Sequence, residues 1–594
     1  MKEFKPSEYQ QSIFDFVEHG VGNAVISAAA GSGKTSTCVA SLKLIPKTKK
    51  CLFIAFNNSI VDELAERLKG NKNVTVKTIH SLGYLMVRRN LGSDIEIDEY
   101  KYKTYVRNNI NELSSADGSM FLNRAEVDEY INSIVSLIDM SRFNLAQTVE
   151  DIEQVAVKYS IPLMADECEV ALKCLEWGKE HYKTIDFTDM IWFPYELSLR
   201  PTGLKYDWIF IDECQDLSLL SIEVFLKCFK QGTRFCAVGD RNQAIYGFSG
   251  ADKDAFNAMC NHPNTKLFPL PISYRCANRI VKFANKLVPE MKPREDAPEG
   301  QLLFKCHLNI LSDGDMVLSR TNANLVKLYT RLLKMNVNCY IKGKDIGKNL
   351  IGLLESIGQD NFDAQLNTDS VNVRLYERIL DSRNNLVVNN GLTLADATLA
   401  QSTMALYDSV TALSILSSTC REKNELISKI SEIFKDEADG ICLSTIHKAK
   451  GLEADRVFIL CGSTLWHDEE DNDGNSDADS LSWIDLQERN LSYVAYTRAK
   501  NTLGFISEEE FPPIGSFNDP TSIINELRVI ENKIAPITGK APLQTADNVE
   551  LAKFNLRSAT VIKNEEEDGN TIEISSANEI KTDNQLLEEL SLFS

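Results

Sequence analysis

The chain has 594 residues, 43% of them apolar and 25% charged, which is the composition of a folded globular protein and excludes a wholly disordered one. At roughly 150 residues per domain, this length suggests about four domains. The formal net charge of -21, from 64 basic and 85 acidic residues, excludes a protein that coats polyanions with its whole surface. It leaves room for nucleic acid held in a local basic groove. No run of about 18 uncharged apolar residues occurs, so no membrane span is expected. The opening residues, MKEFKPSEYQQ, lack the apolar core of a secretory signal. The 14 cysteines are scattered without a CxxC pair. They read as small buried hydrophobes in a reducing compartment, not as a zinc or iron–sulfur framework.

In chain order, short apolar runs alternate with helical patterns. The runs are Val25–Ser27, Leu52–Ile54, Trp208–Ile211, Phe235–Val238, Met316–Leu318, Ile441–Leu443 and Val457–Leu460. Such runs separated by helices predict buried parallel strands and an α/β fold. Two stretches, about 85–190 and 350–435, lack them and carry apolar residues at three-to-four spacing, which predicts helical insertions. Two segments read as disordered. One is 467–480, with seven acids and no Lys or Arg; the other is the tail from Arg557, with nine acids against three basic residues.

The first run leads into Ala28-Ala29-Ala30-Gly31-Ser32-Gly33-Lys34-Thr35, followed by a helical pattern. Glycines let backbone N–H groups curl around phosphate oxygens, and the helix aims its positive end at them. Lys34 would reach the outer phosphates of a nucleotide, and the Thr35 hydroxyl would ligate Mg2+. The strict GxxxxGK[ST] pattern departs at Ala28. About 180 residues on, the run Trp208–Ile211 delivers Asp212 and Glu213 to a strand end. There Asp212 would hold the metal and Glu213 would polarise an attacking water. A third strand runs into Gly239-Asp240-Arg241-Asn242-Gln243, where Gln243 can sense a γ-phosphate, with Tyr246 and Phe248 close by as candidate base-stacking rings.

Taken together, these segments resemble UvrD/Rep-type superfamily 1A DNA helicases, in the order of that family's motifs. The resemblance is carried by Ser7–Gln10, the Lys34 loop, Ala55–Ser59, Thr78–Tyr84, Asp186–Met190, Ile211–Asp216 and Gly239–Asp252. It continues through Ser273–Arg275, Leu318–Asn322, Ser444–Glu453 and Tyr493–Lys500, and so covers residues 5 to about 510. The style of Ala55-Phe56-Asn57 and Thr78–Tyr84 is that of the branch containing F-box DNA helicases and phage enzymes; the residues before Gln10 are too few for an F-box.

The resemblance implies two RecA-like P-loop domains, each with a mainly helical insertion. It divides the chain into core 1 at 1–84 and 191–267 with an insertion at 85–190, and core 2 at 268–349 and 436–512 with an insertion at 350–435. An extension at 513–594 follows. The second insertion is short for the family. ATP would bind between the cores, with Gln10 on the adenine edge, Tyr274 stacked on the base and Glu453 on the ribose. Arg275 and Arg498 would reach the γ-phosphate as arginine fingers, devices worth roughly 10³–10⁵ in rate. The family has Arg after the loop threonine, and this chain has Ser36. Single-stranded DNA would cross both cores, with Phe56, His80, Tyr246 and Phe248 as stacking or wedge residues and Arg320, Asn322 and His447 on the backbone. Base stacking without sequence readout suits a motor on any sequence. The expected substrates are single-stranded and tailed duplex DNA, traversed 3′ to 5′ in replication, recombination or repair. A translocase that strips proteins from DNA shares every motif. An ATPase subunit regulating a partner nuclease is the reading from another class.

The chain ends Glu589-Leu590-Ser591-Leu592-Phe593-Ser594. One reading is an end that docks back on the chain's own surface or a chance amphipathic turn; the other is a partner-binding peptide, because Glu589–Phe593 resembles the QLSLF-type peptide that binds bacterial sliding clamps, with Glu in place of Gln. The expected location is the cytoplasm of a bacterial or phage-infected cell.

Overall fold

In this computed structural model the described residues are 5–113, 124–159, 161, 163, 166–245, 255–356, 368–390, 392–420, 422–460, 483–507, 509–512, 514 and 520–539. The acidic segment 467–480, the tail from Arg557 and the terminal peptide Glu589–Phe593 lie outside them, as do Tyr246 and Phe248.

The apolar runs fold as expected into strands of two all-parallel sheets. The first has the order Val74–Thr78, Cys51–Ala55, Tyr206–Ile211, Phe229–Gly239, Asn23–Ala28, Thr265–Leu270. The second has the order Gln301–Cys306, Ala499–Ile506, Ala454–Leu460, Met316–Ser319, Ile441–Thr445, Cys339–Lys342, Phe434–Lys435. Successive strand residues face opposite sides of a sheet, so a strand covered on both faces must be apolar at every position. In the first sheet Val25, Leu52, Ile54, Ile209 and Ile211 enter one apolar cluster. Their neighbours Ala24, Ile26, Phe53 and Phe210 enter the other, beneath helices Glu8–His19 and Lys34–Leu44. The second sheet divides likewise, with Val317, Ile341 and Leu443 on one side and Leu318, Val457 and Phe505 on the other. The edge strands Val74–Thr78 and Thr265–Leu270 carry polar residues such as Thr75, Lys77 and Lys266 among their apolar ones and so form no continuous apolar run.

The segment between strands Val74–Thr78 and Tyr206–Ile211 is mostly helical, with only the short parallel pair Glu96–Ile97 and Thr184–Ile185. The division at 84/85 falls inside the helix Ile79–Leu91, which leaves the first sheet and continues outward. A buried charge network holds this region together. Arg142 meets Asp186 at 2.7 Å and Asp189 at 2.7 Å, and Lys101 meets Asp189 at 2.6 Å. Such a network is costly to break because any survivor is left as a buried unpaired charge.

The helices between Cys339–Lys342 and Phe434–Lys435 run from Lys344 to Ile433. Their apolar residues, among them Leu350, Leu375, Tyr407 and Leu413, share one continuous cluster with the second sheet. Helix Pro520–Thr538, within the expected C-terminal extension, adds Ile523 and Leu527 to that cluster and seals it with a buried Arg383–Glu531 pair at 2.9 Å. Among the described residues no helix is long and apolar enough to cross a membrane.

Candidate functional site: a cleft between the two sheets

Strand Asn23–Ala28 ends in the loop 29–33, and helix Lys34–Leu44 starts immediately after it. Ala28 is still part of the strand, so the first position of the loop needs no glycine. Gly33 caps the helix at φ 79°, and Gly31 sits at φ 70°. Both values lie in the left-handed region that glycine enters freely. At Gly31 space also matters, because a Cβ would come within 2.5 Å of the Arg275 Cβ. The second core therefore presses directly on the loop.

Lys34 and Thr35, on the first turn, point at the end of strand Tyr206–Ile211. Lys34 Nζ lies 2.9 Å from Glu213 Oε2, and Thr35 Oγ1 donates to Asp212 Oδ2 at 2.5 Å. Burial alone would lower the Lys34 pKa, but the charges of Glu213, Asp240 and Asp212 raise it. Burial, with Glu213 next to it, pushes the Asp212 carboxyl up to about 6. Burial also acts on Glu213, yet Lys34 and Lys450 hold that carboxyl down at about 2. Glu213 has φ 52°, an uncommon backbone for a residue with a Cβ. Gln215 ties two strand ends together. Its Nε2 donates to Glu213 at 2.8 Å, and its Oε1 accepts the Asp240 N–H at 2.9 Å. Gln243 donates to Asp240 Oδ2 at 2.6 Å.

The opposite wall comes from the second core, where Arg275 follows strand Ile272–Ser273 and Lys450 and Arg498 lie beside the second sheet. Arg275 donates to Glu453 at 2.7 Å and to the Thr497 carbonyl at 3.2 Å. Arg498, at the end of helix Trp483–Tyr496, donates to the carbonyls of Val494 at 2.9 Å and Leu452 at 3.2 Å. Burial and the neighbouring Arg275 lower the Arg498 pKa to about 10, so it remains charged at neutral pH. Lys450 bridges the walls, with its Nζ 2.6 Å from Asp216 Oδ2 and 2.7 Å from the Gln243 carbonyl. The cleft is open to solvent, and its empty space, open solvent included, is about 650 Å³. It is lined by Lys34, Glu213 and Gln243 on one side and Arg275, Lys450 and Arg498 on the other, with Phe56 at its mouth.

The expected base-end residues are less concentrated. Gln10 is buried and uses its amide locally, accepting from the Ser7 N–H at 3.1 Å and donating to Thr37 at 2.9 Å. Tyr274 is 41% exposed, and its N–H donates to the Gly31 carbonyl at 2.9 Å. Ser36 is met by the Arg67 guanidinium at 3.1 Å, so an arginine reaches this place from a different helix.

The expected nucleic-acid contacts separate. Phe56 is 47% exposed, and His80 is exposed at the start of helix Ile79–Leu91. Arg320 pairs with Glu488 at 3.0 Å, and the Asn322 amide donates to Asp408 at 2.9 Å. His447 is half-buried, and burial together with Arg320 and Lys450 drops its pKa to about 3, so it is neutral. Lys450 and Gln215 carry no expected role, although they lie inside the motifs Ser444–Glu453 and Ile211–Asp216. The available signal was a charged or amide side chain just past a buried strand, where ligands gather in open α/β sheets.

With this geometry in hand, two family profiles match the chain. The UvrD/REP helicase N-terminal domain covers residues 9–264, and the UvrD-like helicase C-terminal domain covers residues 397–510. Three curated relatives illustrate the similarity. The chain is 26% identical to the ATP-dependent DNA helicase Rep of Buchnera aphidicola, over 46% of this chain and 44% of that one. It is 26% identical to F-box DNA helicase protein 1 of Schizosaccharomyces pombe, over 80% of this chain and 55% of that one. It is 22% identical to a probable DNA helicase II homolog of Mycoplasma pneumoniae, over 82% of each. The chain thus spans about half the length of the Rep and F-box relatives. It belongs to the UvrD/Rep-like superfamily 1 helicases.

Proposed function

We propose that this chain is an ATP-driven motor that moves on single-stranded DNA and separates tailed duplexes in the 3′ to 5′ direction. The observation that supports it is the cleft in which Lys34, Asp212 and Glu213, beside the end of one parallel sheet, face Arg275, Lys450 and Arg498 of the second core. A nucleotide there has cations on both walls, so binding favours closure and loss of a phosphate favours opening.

In this reading Lys34 and the loop 29–33 hold the β- and γ-phosphates. Thr35 and Asp212, two hard oxygen ligands already 2.5 Å apart, fit Mg2+. When bound, that ion would neutralise charge on the phosphate oxygens. Glu213, kept ionised by Lys34, accepts a proton from the attacking water, and Gln243 orients it. Arg275 and Arg498 meet the charge that develops on the transferred group. Gln10, Ser36, Tyr274 and Glu453 form the nucleoside end. Phe56, His80, Arg320, Asn322 and His447 line the DNA track, joined by Tyr246 and Phe248. Core 1 comprises 1–84 and 191–267 and core 2 comprises 268–349 and 436–512, with helical insertions at 85–190 and 350–435. The terminal Glu589–Phe593 would tether the motor to a bacterial sliding clamp by effective concentration.

ATP hydrolysis measured with and without single-stranded DNA or RNA, beside unwinding of 3′- and 5′-tailed duplexes, tests the reading. Stimulation by DNA and unwinding from a 3′ tail are expected. Hydrolysis indifferent to DNA would defeat the motor, and unwinding only from a 5′ tail would reverse its direction. Clamp binding by a peptide of the last ten residues, lost on Leu592→Ala with Phe593→Ala, tests the tether.

A further inference from the structure

One hydrogen bond joins the nucleotide loop to the second core at a point the expected motif roles leave out. The Ala30 N–H donates to the Tyr493 hydroxyl oxygen at 2.8 Å. Ala30 precedes Gly31 in the loop, and Tyr493 sits on helix Trp483–Tyr496 of the second core. Neither residue is solvent-exposed. Ala29 and Ala30 lie in the same apolar cluster as Tyr493, Val494 and Ala495, so the loop packs as part of the second core. The Tyr493 hydroxyl also faces the Asp240 carboxylate, and burial followed by that charge raises its pKa well above the usual value, so it stays protonated.

The same helical turn continues to both arginines. The Thr497 hydroxyl donates to the Tyr493 carbonyl at 2.8 Å and accepts from Arg498 Nη2 at 3.2 Å. The Thr497 carbonyl accepts from Arg275 Nη1 at 3.2 Å. One end of this turn is therefore bonded to the nucleotide loop and the other carries or contacts Arg275 and Arg498. A shift of the helix by a fraction of an ångström would move both guanidinium groups relative to whatever the loop holds. Positioning errors of that size are costly in catalysis.

We infer that Tyr493 is a positioning residue: its hydroxyl sets the register of the helix end at Thr497 and Arg498 against the nucleotide loop, and thereby aims Arg275 and Arg498. This rests on the reading of the cleft as an ATPase site. It assigns Tyr493 no contact with the nucleotide.

Tyr493→Phe in the full chain removes the hydroxyl and keeps the ring's packing. The expected result is at least a tenfold fall in kcat with KM for ATP within twofold and an unchanged urea midpoint. Arg498→Ala should then cost clearly less in the Tyr493→Phe background than in the wild type, because the arginine is already misplaced. A kcat within twofold of wild type overturns the inference. So does a joint loss of kcat, ATP affinity and urea resistance, which would mark a purely structural tyrosine. A wild-type chain that hydrolyses no ATP would instead defeat the reading of the cleft itself.

Discussion

Lys450 of the second core and Asp216 of the first form an ion pair across the cleft, with Nζ 2.8 and 2.6 Å from the two carboxylate oxygens. Both side chains are almost wholly buried, at 8% and 1% exposure. The same ammonium holds the Gln243 carbonyl, so one cation joins the turn after strand Tyr206–Ile211 to the turn after strand Phe229–Gly239. It also lies close enough to Glu213 to help keep that carboxylate ionised. Removing one partner of such a pair leaves a buried uncompensated charge, which typically costs about 3–5 kcal/mol.

Lys450→Met and Asp216→Asn should each lower the kcat for ATP at least tenfold, because either change loosens the contact between the cores. The two should not multiply. A double-mutant cycle on kcat/KM should return a coupling of about 1–3 kcal/mol, as for residues in one network. Independent, multiplying effects would show that the pair does not act as a unit.

Acid should break this pair. Burial pushes the Asp216 carboxyl up to about 6 from 3.8 even though Lys450 pulls the other way. The folded protein thus binds more protons than the unfolded chain between those values. The stability contributed by this group is fully present below 3.8 and is lost as pH rises through about 6. Function runs oppositely, since only the ionised carboxylate pairs with Lys450. The kcat profile should carry an acid limb near pH 6, to which the Asp212 carboxyl also contributes, so Asp216→Asn should make that limb shallower without abolishing it, and the urea midpoint of the wild type should fall relative to that variant as pH rises from 4 to about 7. An identical acid limb in both proteins would assign it to another group.

Glu213→Gln should leave ATP binding nearly intact and lower turnover by about 10²–10⁴, the usual worth of a positioned general base. The amide keeps the shape and its contact with Lys34 2.9 Å away, but accepts no proton. Equilibrium binding of a fluorescent ATP analogue beside single-turnover hydrolysis separates the two. Hydrolysis near the wild-type rate would remove Glu213 from the mechanism.

Asp408 provides a stability test remote from the cleft. Helix Asn322–Lys334 has Thr321 at its N-cap, but that side chain makes no capping bond. Asp408 from helix Gln401–Ser417 does so instead, accepting the N–H groups of Asn322 at 2.9 Å and Ala323 at 2.8 Å. Asp408→Ala should cost about 1–3 kcal/mol in urea unfolding, the penalty for stranding such donors. Asp408→Asn should cost less because its carbonyl still accepts. An alanine variant as stable as the wild type would mean that water replaces the cap.

The parts of this molecule written in contiguous residues were legible from the chain alone. The loop 28–35, the acids after Trp208–Ile211 and the alternation of Leu52, Phe53 and Ile54 each arise within a few residues, because strand period, glycine freedom and helix polarity are local properties. The same holds for the two helical stretches, whose apolar spacing repeats over many turns. Only the tertiary structure decided what stands opposite what. Lys450 reaches Asp216 across 234 positions of sequence, and Tyr493 reaches Ala30 across 463. Neither pairing leaves a periodic trace, since a single side chain at a strand or helix end can point to any partner that the fold brings near. Arg320 and Asn322, legible as cations and amides at the end of a strand, meet Glu488 and Asp408 for the same reason. Local chemistry selects which residues are able to act, and the packing of two separate sheets determines on what they act.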